Sequence, residues 1–94
     1  MANIRISPDA MRGRAGSFRG QADAVNGVIN TMTNLLGQLQ GEWEGAASKS
    51  FSSRFEELKP NFVKAEELIR EIASALDSTA NAMEQADADI ASQY

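Results

Sequence analysis

From Met11 onward the apolar positions fall at Met11, Ala15, Phe18, Ala22, Val25, Ile29, Met32, Leu36, Leu39 and Trp43, alternately four and three residues apart. That is the 3.5-residue repeat of a helix with one apolar seam, held for more than four heptads. The second half repeats it through Phe51, Phe55, Leu58, Phe62, Ala65, Ile69, Ile72, Leu76, Thr79, Met83, Ala86 and Ile90, with Thr79 the one polar member. Strand-type alternation is weak throughout. The pattern predicts an all-α chain forming one domain over 1–94. One helix covers about 8–41 and a second about 46–91, joined by a turn at 42–45.

Local signals sharpen these elements. Ser7-Pro8-Asp9 offers a hydroxyl cap, a proline at the first helical position and an acid in the first turn. Pro60 lies inside the second helix, away from the seam, and the repeat continues in register across it, so a kink is expected there and not an end. The short connection makes the helices antiparallel neighbours. Such a hairpin sets residue 12 beside about residue 77, bringing Arg5, Arg12, Arg14 and Arg19 toward Glu71, Asp77, Glu84, Asp87 and Asp89. The gain from that attraction is small if both runs are solvated.

The seams Phe18, Val25, Ile29, Met32, Leu36, Leu39 and Phe55, Leu58, Phe62, Ile69, Ile72, Leu76 do not exhaust the apolar surface. Leu68, Ala73, Ala75, Ala80 and Ala82 widen it on the second helix, and Val28 and Leu35 on the first. A face that broad needs two neighbours, whereas a hairpin supplies one. Dimerisation into a four-helix bundle closes it, with a second copy or a similar chain. Gly13, Gly20, Gly27 and Gly41 recur at multiples of seven on the opposite face. They read first as an inert back, and second as a smooth strip for close helix approach in a larger assembly.

Composition then excludes chemistry. The 94 residues hold 9 Lys+Arg against 13 Asp+Glu, a net charge of −4, no cysteine and no histidine. Thiolate metal sites, disulfides, Cys nucleophiles and His bases are excluded, and the acidic balance argues against a nucleic-acid partner. Glu56-Glu57 and Glu66-Glu67 read as solvated helix faces, and no glycine-rich loop follows a strand, so no enzyme, metal or cofactor is expected. The opening MANIRISPDA lacks the apolar core of a cleaved signal peptide. No apolar run approaches a membrane span.

The turn carries the specific local signal. Trp43 takes the last seam position, and Gly45 can supply a left-handed residue for the chain reversal. A chain of this length, helical on both sides of Trp43-Glu44-Gly45 at its midpoint, resembles the WXG-motif family of small type VII (Esx/Ess) secretion substrates, relatives of the early secreted antigenic target of mycobacteria. Ile4-Arg5-Ile6-Ser7-Pro8 and the stretch from Trp43 through Ala46-Ala47 to Phe51 and Phe55 are similar to its Firmicute branch. The resemblance implies dimerising helical hairpins, export without a cleaved signal peptide, and roles in virulence or bacterial competition. Tyr94 ends the sequence, so the actinobacterial signal of tyrosine and a later acid is missing. The Firmicute spacing of a hydrophobe, an acid and two hydrophobes is met by Met83, Asp87, Ile90 and Tyr94, although Met83 and Ile90 also lie on the seam.

The reading is a secreted, non-enzymatic hairpin that binds itself or a paralogous WXG-type chain, and the type VII machinery. Trp43 and Gly45 form the turn motif, and the export surface is Met83, Asp87, Ile90 and Tyr94. Two rivals stay open. Broad amphipathic faces suit a membrane-active effector, and a cytoplasmic adaptor for a larger secreted partner would carry the same hairpin.

Overall fold

A computed structural model describes residues 6–42 and 45–93. Trp43 and Tyr94, named above for the turn and the export surface, lie outside them. Helix α1 spans Pro8–Glu42 and helix α2 spans Ala46–Ser92. The Ser7 hydroxyl accepts the Ala10 amide at 3.1 Å, satisfying one of the donors a helix start leaves over, and the Ser7 carbonyl accepts the Met11 amide at 2.9 Å as the first helical bond of α1. Helix α2 runs through Pro60 without a break.

Gly45 departs from the expectation. Its φ of 167° and ψ of 164° are extended, and it serves as the residue before α2 instead of a left-handed cap after α1. At Gly45 the backbone therefore takes a shape open to any residue. The Gly45 carbonyl accepts the Lys49 amide at 3.3 Å, the first helical bond of α2.

The two helices form an antiparallel hairpin of 75 × 27 × 17 Å. Its radius of gyration of 21.3 Å compares with about 12 Å for a compact domain of this length. Its accessible surface of 6958 Å² exceeds by about 1,700 Å² what a compact monomer of this mass exposes. A rod two helices thick has little interior, and that excess is the surface a partner could cover.

The interior is narrow and rich in alanine. Ala15, Ala22, Ala73 and Ala80 are fully covered, with Met11 and Ile29 on α1 and Ser48 and Phe55 on α2 beside them. Ala73 and Ala80, expected on the flank of the apolar surface, instead form the line of α2 that lies against α1. Small side chains at heptad spacing let the backbones approach closely. That draws this column inward and rotates the larger residues aside.

Register also differs from the expectation. Arg12 reaches Asn81 and Glu84, not the level of residue 77, and Asp77 is met by Arg19. Helical side chains lean toward their own N-terminus. A long arginine on α1 therefore leans away from the turn and finds acids farther along α2.

Candidate interaction surface

Each helix presents three adjacent columns. The central column faces the other helix. On one side lies a polar column, on the other an apolar one, and the like columns of α1 and α2 share an edge of the hairpin.

The polar edge is bonded shut. Arg12 pairs with Glu84 and donates to Asn81 Oδ1 at 2.6 Å, and Arg19 donates to Asp77 at 2.6 Å. Nearer the turn, Asn26 donates to Glu66 at 2.9 Å, and Arg70 donates to Asp23 at 2.8 Å and to Glu66 at 2.9 Å. Arg12 holds the Glu84 carboxyl below its ordinary range by a direct hydrogen bond. Glu66 is lowered first by the Asn26 amide and then by Arg70. The guanidinium of Arg70 is raised in turn by Asp23 and Glu66. Arg19–Asp77 and Arg70–Glu66 are part-buried and the other pairs exposed, so the ladder sets register and orientation more than it adds stability.

The apolar edge is open. Of the seam residues expected to build the core and the dimer, Ile29 and Phe55 are buried, and Val25, Leu36, Leu39, Ile69 and Leu76 are half-buried. Phe18, Met32, Leu58, Phe62 and Ile72 remain exposed. Val28, Leu35 and Leu68 continue the stripe, each more than half exposed. The two helices contribute to one groove, in which Val25, Val28, Ile29 and Met32 face Phe55 and Phe62. Those two rings lie nearly parallel with centroids 6.4 Å apart. Beyond Met32 the groove continues along α1 past Leu35 and Leu39 to Glu42. A continuous apolar stripe of this size on a small domain marks a contact site.

The tail residues stand apart from this groove. Met83 is half-buried, Asp87 is exposed, and Ile90 is 56% exposed. Helix α2 has 47 residues against 35 in α1, so Ile90 lies beyond the level of Pro8 at the end of the rod away from the turn. Sequence reasoning passed over two serines. The Ser48 and Ser52 hydroxyl oxygens are buried between the helices near the turn without a hydrogen-bond partner, and nothing in the fold accounts for them. Their heptad spacing to Phe55 and Lys59 was the available signal. Among the described residues no group of acids is arranged to hold a metal ion, and no helix is long and apolar enough to cross a membrane.

Residues 3–88 match the family model WXG100, proteins of 100 residues with WXG. The chain is similar to protein YukE of Bacillus subtilis (strain 168), 34% identical over 90 residues that cover 96% of this chain and 93% of YukE. It is 30% identical over 94 residues to the type VII secretion system extracellular protein A of Staphylococcus aureus (strain USA300), covering 100% and 97% of the two chains. Among solved structures, Geobacillus thermodenitrificans EsxA superposes with a TM-score of 0.87 at 33% identity over 97% of this chain and 98% of that one.

Proposed function

The chain belongs to the WXG100 family, and from that premise we propose that it is exported by a type VII secretion system and works outside the cell by binding, not by catalysis. Its working form is a pair of hairpins. The open apolar edge carries this reading: on each helix a column of large apolar side chains stays exposed beside the covered one. Pairing two such edges buries both and produces a four-helix bundle. The excess surface of about 1,700 Å² per chain is ample for an interface of standard size, which takes about 800 Å² from each partner.

Export rests on different residues. Met83, Asp87, Ile90 and Tyr94 at the tail of one protomer, joined by Trp43 and Gly45 at the turn of its partner, form the surface that the secretion machinery reads. The exposure of Asp87 and Ile90 supports this, because a docking protein can reach them without opening the hairpin. Outside the cell, the protein serves virulence or competition through a protein partner.

The test is immunoblotting of culture supernatant from strains with and without the type VII membrane ATPase, with a cytoplasmic marker retained in the cells. The protein should appear outside only when the ATPase is present, and Asp87→Ala should keep it inside while it still dimerises. Retention of the native protein in both strains would refute export.

A further inference from the structure

Asn26 is the only asparagine of the chain followed by glycine; Asn3, Asn30, Asn34, Asn61 and Asn81 each precede a residue with a side chain. The Asn26-Gly27 pair lies inside α1, on the polar edge, and the Asn26 amide is held at both of its polar atoms. Its Nδ2 donates to Glu66 Oε1 at 2.9 Å, and its Oδ1 accepts from Asn30 Nδ2 at 3.1 Å. Glu66 is the most covered carboxylate of the ladder, its side chain 15% exposed. The Asn26 amide is the foremost cause of its lowered pKa.

Asparagine before glycine has a reaction of its own. The glycine amide nitrogen attacks Cγ of the asparagine, the new N–Cγ bond closes a five-membered succinimide, and the Cγ–Nδ2 bond breaks. Nδ2 leaves as ammonia, carrying the proton lost by the glycine nitrogen. Water then opens the ring to aspartate or, at the other carbonyl, to isoaspartate. No electron changes hands, and water is the only co-reactant. Glycine permits the attack because it has no Cβ in the way and its backbone bends freely. Packing does not shield Gly27, where even an added Cβ would meet nothing within 4 Å. What restrains it is the helix, which commits the Gly27 amide to the carbonyl four residues earlier, that of Asp23.

We propose that Asn26-Gly27 is a self-modifying site gated by the hairpin: the closed ladder keeps Asn26 an amide, and local opening lets Gly27 convert it to a carboxylate. Two features direct the opening to this place. Asn26–Glu66 is the cross-helix rung nearest the turn among the described residues, so a separation that starts at the turn reaches it first. On the turn side of it, the Ser48 and Ser52 hydroxyl oxygens are buried without a partner, which weakens the closed form there. The product cannot restore the rung. A carboxylate at position 26 has no proton to donate to Glu66, stands against it at hydrogen-bond range, and joins Asp23 on the same edge. Isoaspartate also inserts an extra carbon into the backbone of α1 and breaks its hydrogen-bond register. Each opening that runs to reaction is thus recorded covalently, and the polar edge recloses more weakly.

The test incubates the full-length protein at neutral pH in buffer and in concentrated urea, and follows the tryptic peptide 20–49 by mass spectrometry. Conversion should accumulate at Asn26 and not at Asn30 or Asn34, at least about tenfold faster in urea than in buffer. Gly27→Ala should suppress it in both. Ser48→Ala combined with Ser52→Ala should slow it about fivefold in buffer and leave the urea rate unchanged. Asn26→Asp, which reproduces the product, should lower Tm by about 4–8 °C. Adding Glu66→Gln, which moves the donating amide to the other helix, should recover most of that loss. Circular dichroism checks that each variant is helical. Equal rates in buffer and urea overturn the gate, and no conversion at Asn26 in urea overturns the site. A Tm unchanged by Asn26→Asp, or a loss that Glu66→Gln does not recover, overturns the part assigned to the Glu66 rung.

Discussion

Leu35→Ala separates the two packing surfaces of the hairpin. Leu35 sits in the open column with 56% of its surface exposed. The substitution removes three carbons, worth about 0.8 kcal/mol each when fully buried, or about 2.4 kcal/mol. Only the exposed share is still to be covered by a partner, which leaves about 1.3 kcal/mol per chain. A two-fold dimer contains the site twice, so the dissociation constant should rise by about a hundredfold. Leucine and alanine have similar helix propensity, so α1 itself should be unharmed. Sedimentation equilibrium over a dilution series reads the dimer, and far-ultraviolet circular dichroism at high concentration reads the helix. A change below about threefold with helix intact would mean that this edge is not the interface.

The alanine interior makes the opposite prediction. Ala73→Leu forces a larger side chain between two backbones in contact and should cost about 1–3 kcal/mol of hairpin stability, seen as a lower Tm in dimer and monomer alike. By contrast, a Cβ at Gly27 would meet nothing within 4 Å, and Gly27→Ala should raise Tm by relieving up to about 1 kcal/mol of helix cost. Acid should loosen the polar edge. Glu66 and Glu84 have folded pKa values below the ordinary 4.5. Their contribution is complete above that value and is lost as pH falls through the folded values. Thermal unfolding should therefore show little pH dependence from these two groups between pH 7 and 5, then weaken below about 4.5. An Arg12→Gln variant should lose the part of that acid dependence that Glu84 supplies and keep the part from Glu66, and an unchanged profile would count against the Arg12–Glu84 rung.

Much of this architecture was legible in the order of residues. Seams with a 3.5 repeat on either side of one break require two helices, and a connection that short requires them to be antiparallel. The surplus of apolar positions over what one neighbour can cover also called for a partner. What the pattern did not reveal was which column of a broad apolar arc would turn inward. Phe18, Met32, Leu58 and Ile72 share the seam assigned to core and dimer with Ile29 and Phe55, and in the single hairpin they are exposed. Ala73 and Ala80 looked peripheral, and they are covered. Hydropathy measures how strongly a residue leaves water, not which neighbour it meets when it does. Tertiary packing decided that through two effects invisible to periodicity. Alanines at heptad spacing permit the closest backbone approach, and arginines leaning away from the turn find their carboxylates only when the polar columns share an edge. Together they rotate both helices, so that half of each apolar arc closes the hairpin and the other half remains open for a partner.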